Sequence, residues 1–142
     1  MDLEPALTHG IIFSDTVIRE HGTGKLSFIG SFQYFNAPSV PFTSPQFIVT
    51  VLLTNLRGKV ELKVSVRIEE VGSGHVVASS TSEVTSKTEV SQKEVVEIPF
   101  GIPPALFPNA GIYKAVILVN NEAVGSRELV VRTITALPPK EV

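Results

Sequence analysis

The stretch that decides the fold class is residues 60–68, which read Val-Glu-Leu-Lys-Val-Ser-Val-Arg-Ile. Apolar residues occupy every second position from Val60 to Ile68, and polar or charged residues stand between them. Successive side chains on a β-strand point to opposite faces of the sheet. This period of two therefore predicts a strand with one face in a core and the other in water. The same period recurs along much of the chain, whereas a helical period is almost nowhere present.

Further strands are predicted on both sides of this stretch, separated by turn signals such as Gly-Ser-Gly at 72–74 and Asn-Asn at 120–121. The predicted strands cover residues 7–14, 25–35, 47–54, 60–68, 75–78, 95–100, 112–119 and 124–134. The Ser/Thr-rich segment 79–94 can be read as strand or loop, and we predict a polar edge strand that ends in a loop. Together the pattern predicts an all-β, antiparallel, two-sheet sandwich of about eight strands.

Length and composition fit one globular domain. A chain of 142 residues is near the commonest domain size, so we expect a single domain over residues 1–142, with flexible ends at residues 1–6 and 136–142. Hydrophobic residues make up 43% of the chain and charged residues 18%, which is typical of a protein with a core. The net charge of −2 gives no electrostatic reason to bind nucleic acid or an anionic membrane, and we expect neither partner.

The compartment is predicted from the N-terminal sequence. Cysteine is absent, so disulfides and thiolate metal sites are excluded, but this does not fix the compartment. The sequence from Met1 to Pro5 is acidic and does not resemble a secretory signal. No apolar run approaches the roughly 18 residues of a membrane span. We therefore expect a cytoplasmic protein.

Single residues carry finer predictions. Asp15 is predicted to begin a connection and to cap one helical turn that extends through Arg19. Gly30, inside a predicted strand, indicates a bulge or a close backbone crossing. Tyr34 and Tyr113 fall in register with inward-facing apolar residues, which favours core packing over an exposed binding platform for both rings.

Two sets of motifs resemble known proteins. The segment from Ala110 to Lys114, followed by Val116, Leu118, Asn-Asn at 120–121 and Val130, resembles the last hairpin of many bacterial immunoglobulin-like sandwiches. Residues 12–15 and 24–30 resemble an uncharacterised bacterial family of about this length. The resemblance implies a sandwich and no established activity. The chain lacks the Cys-Trp-Cys core of immunoglobulin domains proper.

No residue pattern predicts catalysis, a cofactor or a metal site. A calcium site needs several clustered carboxylates, and the chain has only two aspartates, Asp2 and Asp15. Its histidines, His9, His21 and His75, have no metal-ligand spacing. No Gly-x-Ser-x-Gly nucleophile elbow is present. We therefore expect no catalytic residue, no cofactor and no metal.

Two classes of binding function and one of catalysis remain open. The first is a non-enzymatic module that acts through protein–protein interaction or self-association, as a homodimer or with a protein partner. The second is a small-ligand or carbohydrate site at the loop end of the sandwich, and the third is an enzyme. The first rests on apolar residues at outward positions, which either form an interface or are covered within the chain. The candidate interface residues are Ile48, Leu52, Val116, Leu118 and Val130.

Overall fold

The computed structural model describes residues 7–86 and 88–134, and these residues form β-strands and loops without a helix. The ends that we predicted to be flexible lie outside the described residues. The strands are β1 (Leu7–Arg19), β2 (Leu26–Phe32), β3 (Tyr34–Ala37), β4 (Phe42–Thr43), β5 (Phe47–Thr54), β6 (Glu61–Glu70), β7 (Val76–Thr85), β8 (Val96–Ile102), β9 (Leu106–Phe107), β10 (Gly111–Val119) and β11 (Glu122–Thr133).

The described strands form three sheets. The four-stranded sheet has the order β2-β1-β5-β8, the five-stranded sheet has the order β3-β11-β10-β6-β7, and β4 pairs with β9. All pairs are antiparallel except β3 and β11, which are parallel. The all-β class is confirmed. The two-sheet prediction missed the short β4–β9 ladder, because the prolines around both strands mask their pairing.

One hydrophobic cluster joins the two larger sheets. Strand β6 alternates as its sequence predicts, with Val64, Val66 and Ile68 fully buried. Ile117 of the neighbouring β10 is also fully buried, opposite Val66 in the ladder. Inner residues of the four-stranded sheet such as Phe47 belong to the same cluster. Burial of these apolar side chains is the main favourable term for the fold.

The central position of β5 explains its apolar sequence. It lies between β1 and β8, and every inward side chain from Phe47 to Leu53 is fully buried. On its outer face Thr50 is buried, whereas Ile48 and Leu52 are half-buried. Strand β5 is therefore a central strand with a partly covered outer face.

The first hairpin is longer than predicted. Strand β1 continues through Asp15 to Arg19 and pairs with β2 along this length, so the predicted connection with a helical turn is wrong. The β-branched run Thr16-Val17-Ile18 favours a strand over the cap that Asp15 suggested. Gly30 lies across the ladder from Asp15 with a φ of +67°, and a Cβ there would collide with the Asp15 carboxylate. Gly30 is therefore a site of close approach, but the approaching group is the Asp15 side chain and not the backbone crossing or bulge that we predicted.

The other hairpins follow their turn residues. Asn120 and Asn121 have φ values of 48° and 69°, the left-handed region that asparagine tolerates, and they join β10 to β11. Strand β7 is the edge strand of the five-stranded sheet and ends at Thr85, where a loop begins. This agrees with the prediction for segment 79–94.

Candidate functional site

The chain changes sheets at Gln33, between β2 and β3. Phe32 turns inward and packs against Phe13 and Phe35, with ring centroids 5.9 Å and 4.8 Å away. Strand β3 joins the other sheet, so the alternation is broken, and Phe35 rather than Tyr34 enters the core. Tyr34 is 44% exposed, and its predicted core position is wrong. The error came from treating residues 25–35 as one continuous strand.

Arg132 stacks on the exposed Tyr34 ring. Its guanidinium carbon lies 3.5 Å from the ring centroid, a close cation–π contact. The contact follows from the parallel pairing, in which Val130 lies opposite Tyr34 and Arg132 opposite Asn36. Among the described residues no carboxylate pairs with Arg132. Sequence reasoning missed this pair because the two residues lie on strands that are far apart in the chain.

An apolar row extends from the Tyr34 ring across the sheet. Val130 lies opposite Tyr34 in one ladder and opposite Ile112 in the next. The Val71 amide then donates to the Ile112 carbonyl over 3.0 Å. Ile112 and Val71 are 46% and 47% exposed. We call Tyr34, Val130, Ile112, Val71 and Arg132 the Tyr34 face.

Charged residues border the Tyr34 face. The Glu69 carboxylate lies 2.8 Å from Arg67 Nε and 3.6 Å from Lys114 Nζ, so it balances one of the two cations. Glu128 lies opposite Lys114 in the ladder and adds a second negative charge. Glu70, which precedes Val71, adds a third carboxylate, so the three cations and three carboxylates around the face balance. Of these cations, Arg132 has no ion pair in the described part of the chain.

A cleft opens beside Tyr34 at the crossover. Its volume is about 370 Å³, and it is lined by Ser31, Phe32, Gln33 and Tyr34. The side chains of Ser31 and Gln33 are exposed and have no hydrogen-bond partner in the described part of the chain. The cleft therefore combines the exposed Tyr34 ring with a hydroxyl and an amide that are free to bind, whereas the Phe32 ring beside them packs into the core.

A polar network ties together two loops near the end of the five-stranded sheet. The Glu70 carboxylate accepts hydrogen bonds from Ser73 Oγ over 2.6 Å and from Asn109 Nδ2 over 3.1 Å. These bonds, the Ser73 bond first, lower the pKa of Glu70. Tyr113 is fully buried, as predicted, and its hydroxyl donates to the Asn109 carbonyl over 2.6 Å. Burial raises the pKa of Tyr113. All these contacts hold loops in place, so we assign the network a structural role.

The predicted interface residues do not lie on one surface. Ile48 and Leu52 are on β5 of the four-stranded sheet, whereas Val116, Leu118 and Val130 are on the five-stranded sheet. Val116 is only 6% exposed, and the other four are half-buried. The structure therefore divides the set between two sheets.

A second cleft separates β1 from β11. Arg127 faces it together with Gly10, Ile11 and Gly125, and its volume is about 260 Å³. Arg127 Nη1 donates to the Ile11 carbonyl over 2.5 Å, and the guanidinium lies 4.9 Å from the Phe13 ring centroid. This arginine is engaged in joining the two larger sheets.

The three histidines lie on the surface of the described part of the chain. His9, His21 and His75 are exposed, and no group of three or more histidine or acidic side chains could hold a metal ion there. The described residues also include no helix with the length and hydropathy of a membrane crossing.

Comparisons with known proteins define the family and a fold relative. The model of a family of unknown function, DUF6941, matches residues 9–132. Comparison with curated proteins gives no significant match. One solved structure with a similar fold is the alkylpurine DNA glycosylase AlkC of Pseudomonas fluorescens bound to DNA containing an abasic site analogue. It matches with a TM-score of 0.50 and 15% identity, over 89% of this chain and 30% of the enzyme's chain. The chain thus spans under a third of that enzyme.

This structural comparison corrects two predictions. The sequence predicts a protein-interaction or self-association module, with a small-ligand or carbohydrate pocket as the alternative, and it excludes nucleic acid. The solved chain that shares the fold is instead part of an enzyme bound to DNA. Net charge could not support the exclusion, because it averages over the whole surface and gives no information on a single exposed cation such as Arg132. The interaction module failed because its apolar residues do not form one patch.

Proposed function

We propose that this chain, which belongs to the DUF6941 family of unknown function, is a non-catalytic domain that contacts DNA through the Tyr34 face. The observation that carries the proposal is the exposed Tyr34 ring with the Arg132 guanidinium stacked 3.5 Å from its centroid. The side chains of this face are aromatic, apolar and cationic, and they include no nucleophile paired with a base. Such a set binds but does not itself break bonds.

Each part of the Tyr34 face has a matching part in DNA. Arginine is suited to phosphate because its planar guanidinium donates several hydrogen bonds in a fixed geometry. Stacking on Tyr34 already restrains Arg132, so less side-chain entropy is lost when a phosphate binds. Aromatic rings stack on bases of any sequence. The apolar row of Val130 and Ile112 offers contact area for the sugars.

The fold relative supports DNA as the partner, and the extent of the match limits the proposal. Because the matched part is 30% of the glycosylase chain, we transfer DNA contact to this chain and not glycosylase activity. Fold alone does not determine function, so the proposal rests on the Tyr34 face.

The proposal also covers the arrangement of the two larger sheets. We propose that the four-stranded and five-stranded sheets are the two layers of an immunoglobulin-like sandwich, which is supported by their shared buried cluster. A cytoplasmic location and a bacterial origin remain predictions from the sequence.

Fluorescence anisotropy with a labelled DNA duplex tests the proposal. We expect weak, salt-sensitive binding with a dissociation constant of about 10⁻⁴ to 10⁻⁶ M, the usual range for non-specific contact. Arg132→Gln should weaken binding to every sequence and reduce the salt slope by about 0.9, because one phosphate contact is lost. The matched control is Arg19→Gln, an exposed arginine at the far end of the β1–β2 hairpin that bonds only to the Gly24 carbonyl among the described residues.

Two results would contradict DNA contact at this face. The first is no detectable binding at low salt with the protein in the millimolar range. The second is an equal loss of affinity in the Arg19 and Arg132 variants, since that would reflect general charge rather than a site.

A further inference from the structure

We infer that the cleft beside Tyr34 is a subsite for an unpaired base of DNA. This inference rests on the proposed function, because it names the feature of DNA that the Tyr34 face selects. The cleft adjoins the face through Tyr34 itself, which belongs to both. A backbone held by Arg132 would therefore present a neighbouring base at the cleft.

The dimensions and lining of the cleft suit a base. Its volume of about 370 Å³ is at the low end of the usual range for ligand clefts, and the cleft is open to solvent. Phe32 is held in place by rings at 4.8 Å and 5.9 Å, and Tyr34 is held by Arg132. Phe32 packs into the core, so the ring on which a base would stack is that of Tyr34. Its contact with Arg132 restrains it before a base arrives, so binding loses little side-chain freedom.

The polar lining supplies partners for a base edge. The Gln33 side chain has an amide donor and a carbonyl acceptor, and a glutamine can bond a base edge through both groups. Ser31 can donate or accept. Neither side chain has a partner among the described residues, so neither must break a protein contact to bind. In a paired base the edge is occupied and both ring faces are covered by neighbours.

Selectivity for an unpaired base follows from the free energy needed to move a base out of the duplex. Moving a base out of an intact duplex requires unpairing and unstacking, and this costs least for a base that is mismatched or already unpaired. The cleft should therefore favour a base opposite an abasic position or in a single strand. Stacking of one base on an aromatic side chain corresponds to about 5- to 150-fold in affinity.

The experiment compares three probes of one sequence. They are an intact duplex, a duplex with 2-aminopurine opposite an abasic site analogue, and the single strand with 2-aminopurine. We expect the wild-type chain to bind the two unpaired probes at least about fivefold more tightly than the duplex, with quenched 2-aminopurine fluorescence from stacking. Tyr34→Leu should abolish both the preference and the quenching, and it should also weaken binding to the intact duplex, because Arg132 loses the ring that restrains it.

Two further variants act as controls. Tyr34→Phe keeps the ring and should keep the preference. Gln33→Ala removes the amide at an exposed position outside the strands and should reduce the preference without lowering the melting temperature. Its fluorescence readout tests the cleft even where the Tyr34→Leu variant does not fold.

The outcomes separate this inference from the proposed function. Equal binding of all three probes by the wild-type chain would overturn the subsite and leave DNA contact intact. A preference that persists in both Tyr34→Leu and Gln33→Ala would also overturn it, since the selective site would lie elsewhere. No binding to any probe would overturn the proposed function and the subsite with it.

Discussion

At the scale of single residues, Glu70 shows how one exposed carboxylate can hold two loops. It accepts hydrogen bonds from Ser73, in the turn after its own strand, and from Asn109, before β10. Both donors favour the ionised form, which is why the pKa of Glu70 lies below its ordinary value of 4.5. The network that includes Tyr113 is therefore pH-sensitive on its acidic side.

The prediction at this scale concerns acid stability. Because the pKa of Glu70 is lowered in the folded state, its contribution is present above pH 4.5 and is lost as the pH falls through the folded-state pKa. In Glu70→Gln the free energy of unfolding should be lower above pH 4.5, and it should fall less steeply below it. Urea unfolding on both sides of pH 4.5 measures this.

Glu97→Gln is the control, since that exposed side chain has no hydrogen bond in the described part of the chain. Parallel curves for Glu70→Gln and the wild-type chain would contradict the prediction.

At the scale of elements, the close approach of Gly30 to Asp15 sets the shape of the first hairpin. The φ of +67° at Gly30 is a left-handed conformation that costs little only for glycine. The missing side chain leaves room for the Asp15 carboxylate on the facing strand. Two physical requirements, one on the backbone and one on space, therefore select glycine here.

Substitutions at Gly30 and Asp15 distinguish the backbone requirement from the requirement for space. Gly30→Ala should lower the free energy of unfolding by about 1–3 kcal/mol, through backbone strain and collision with Asp15. The double variant Asp15→Ala/Gly30→Ala should recover only part of this loss, since the φ strain remains. Gly101→Ala in β8 is the control, because a Cβ added there would meet nothing within 4 Å and the φ of Gly101 is not positive. Chemical denaturation measures all three, and equal losses at Gly30 and Gly101 would contradict the explanation.

The elements also show what the sequence could and could not predict. Strand β6 was predictable because it stays in one sheet and its alternation maps directly onto inside and outside. The exposed position of Tyr34 was not predictable. Alternation between inside and outside is defined only within one sheet, and the chain changes sheets at Gln33. The candidate site was therefore missed, since it combines Tyr34 with Arg132 from a strand that no local pattern connects to it.

At the scale of the whole molecule, Arg127 joins the two larger sheets at one side. Strand β2 pairs with β1 only as far as Phe13, so it no longer flanks β1 at Ile11. The guanidinium of Arg127, from the inner face of the other sheet, bonds the Ile11 carbonyl instead. The same group covers the edge of the core by lying over the Phe13 ring. One side chain therefore links the two larger sheets.

The prediction at this scale is a loss of coupling between the sheets. Arg127→Gln should lower the free energy of unfolding by about 1–3 kcal/mol, because a partly buried carbonyl loses its partner. Amide hydrogen exchange should accelerate in β1 near Ile11 while β6 stays protected. Arg67→Gln, a half-exposed arginine on the outer face of β6, is the control and should change stability by under about 0.5 kcal/mol. Unchanged exchange near Ile11 would contradict this role.

The single-residue crossover at Gln33 has a consequence for how this family can vary. One inserted or deleted residue there would reverse the alternation along β3, so that Tyr34 would face the core and Phe35 would face water. Insertions and deletions at residues 32–35 should therefore be tolerated less well than substitutions. The loop between Thr85 and Val96 carries no such constraint, because it joins strands at the edges of two different sheets. Natural relatives should align without gaps through the crossover and differ in length in that loop.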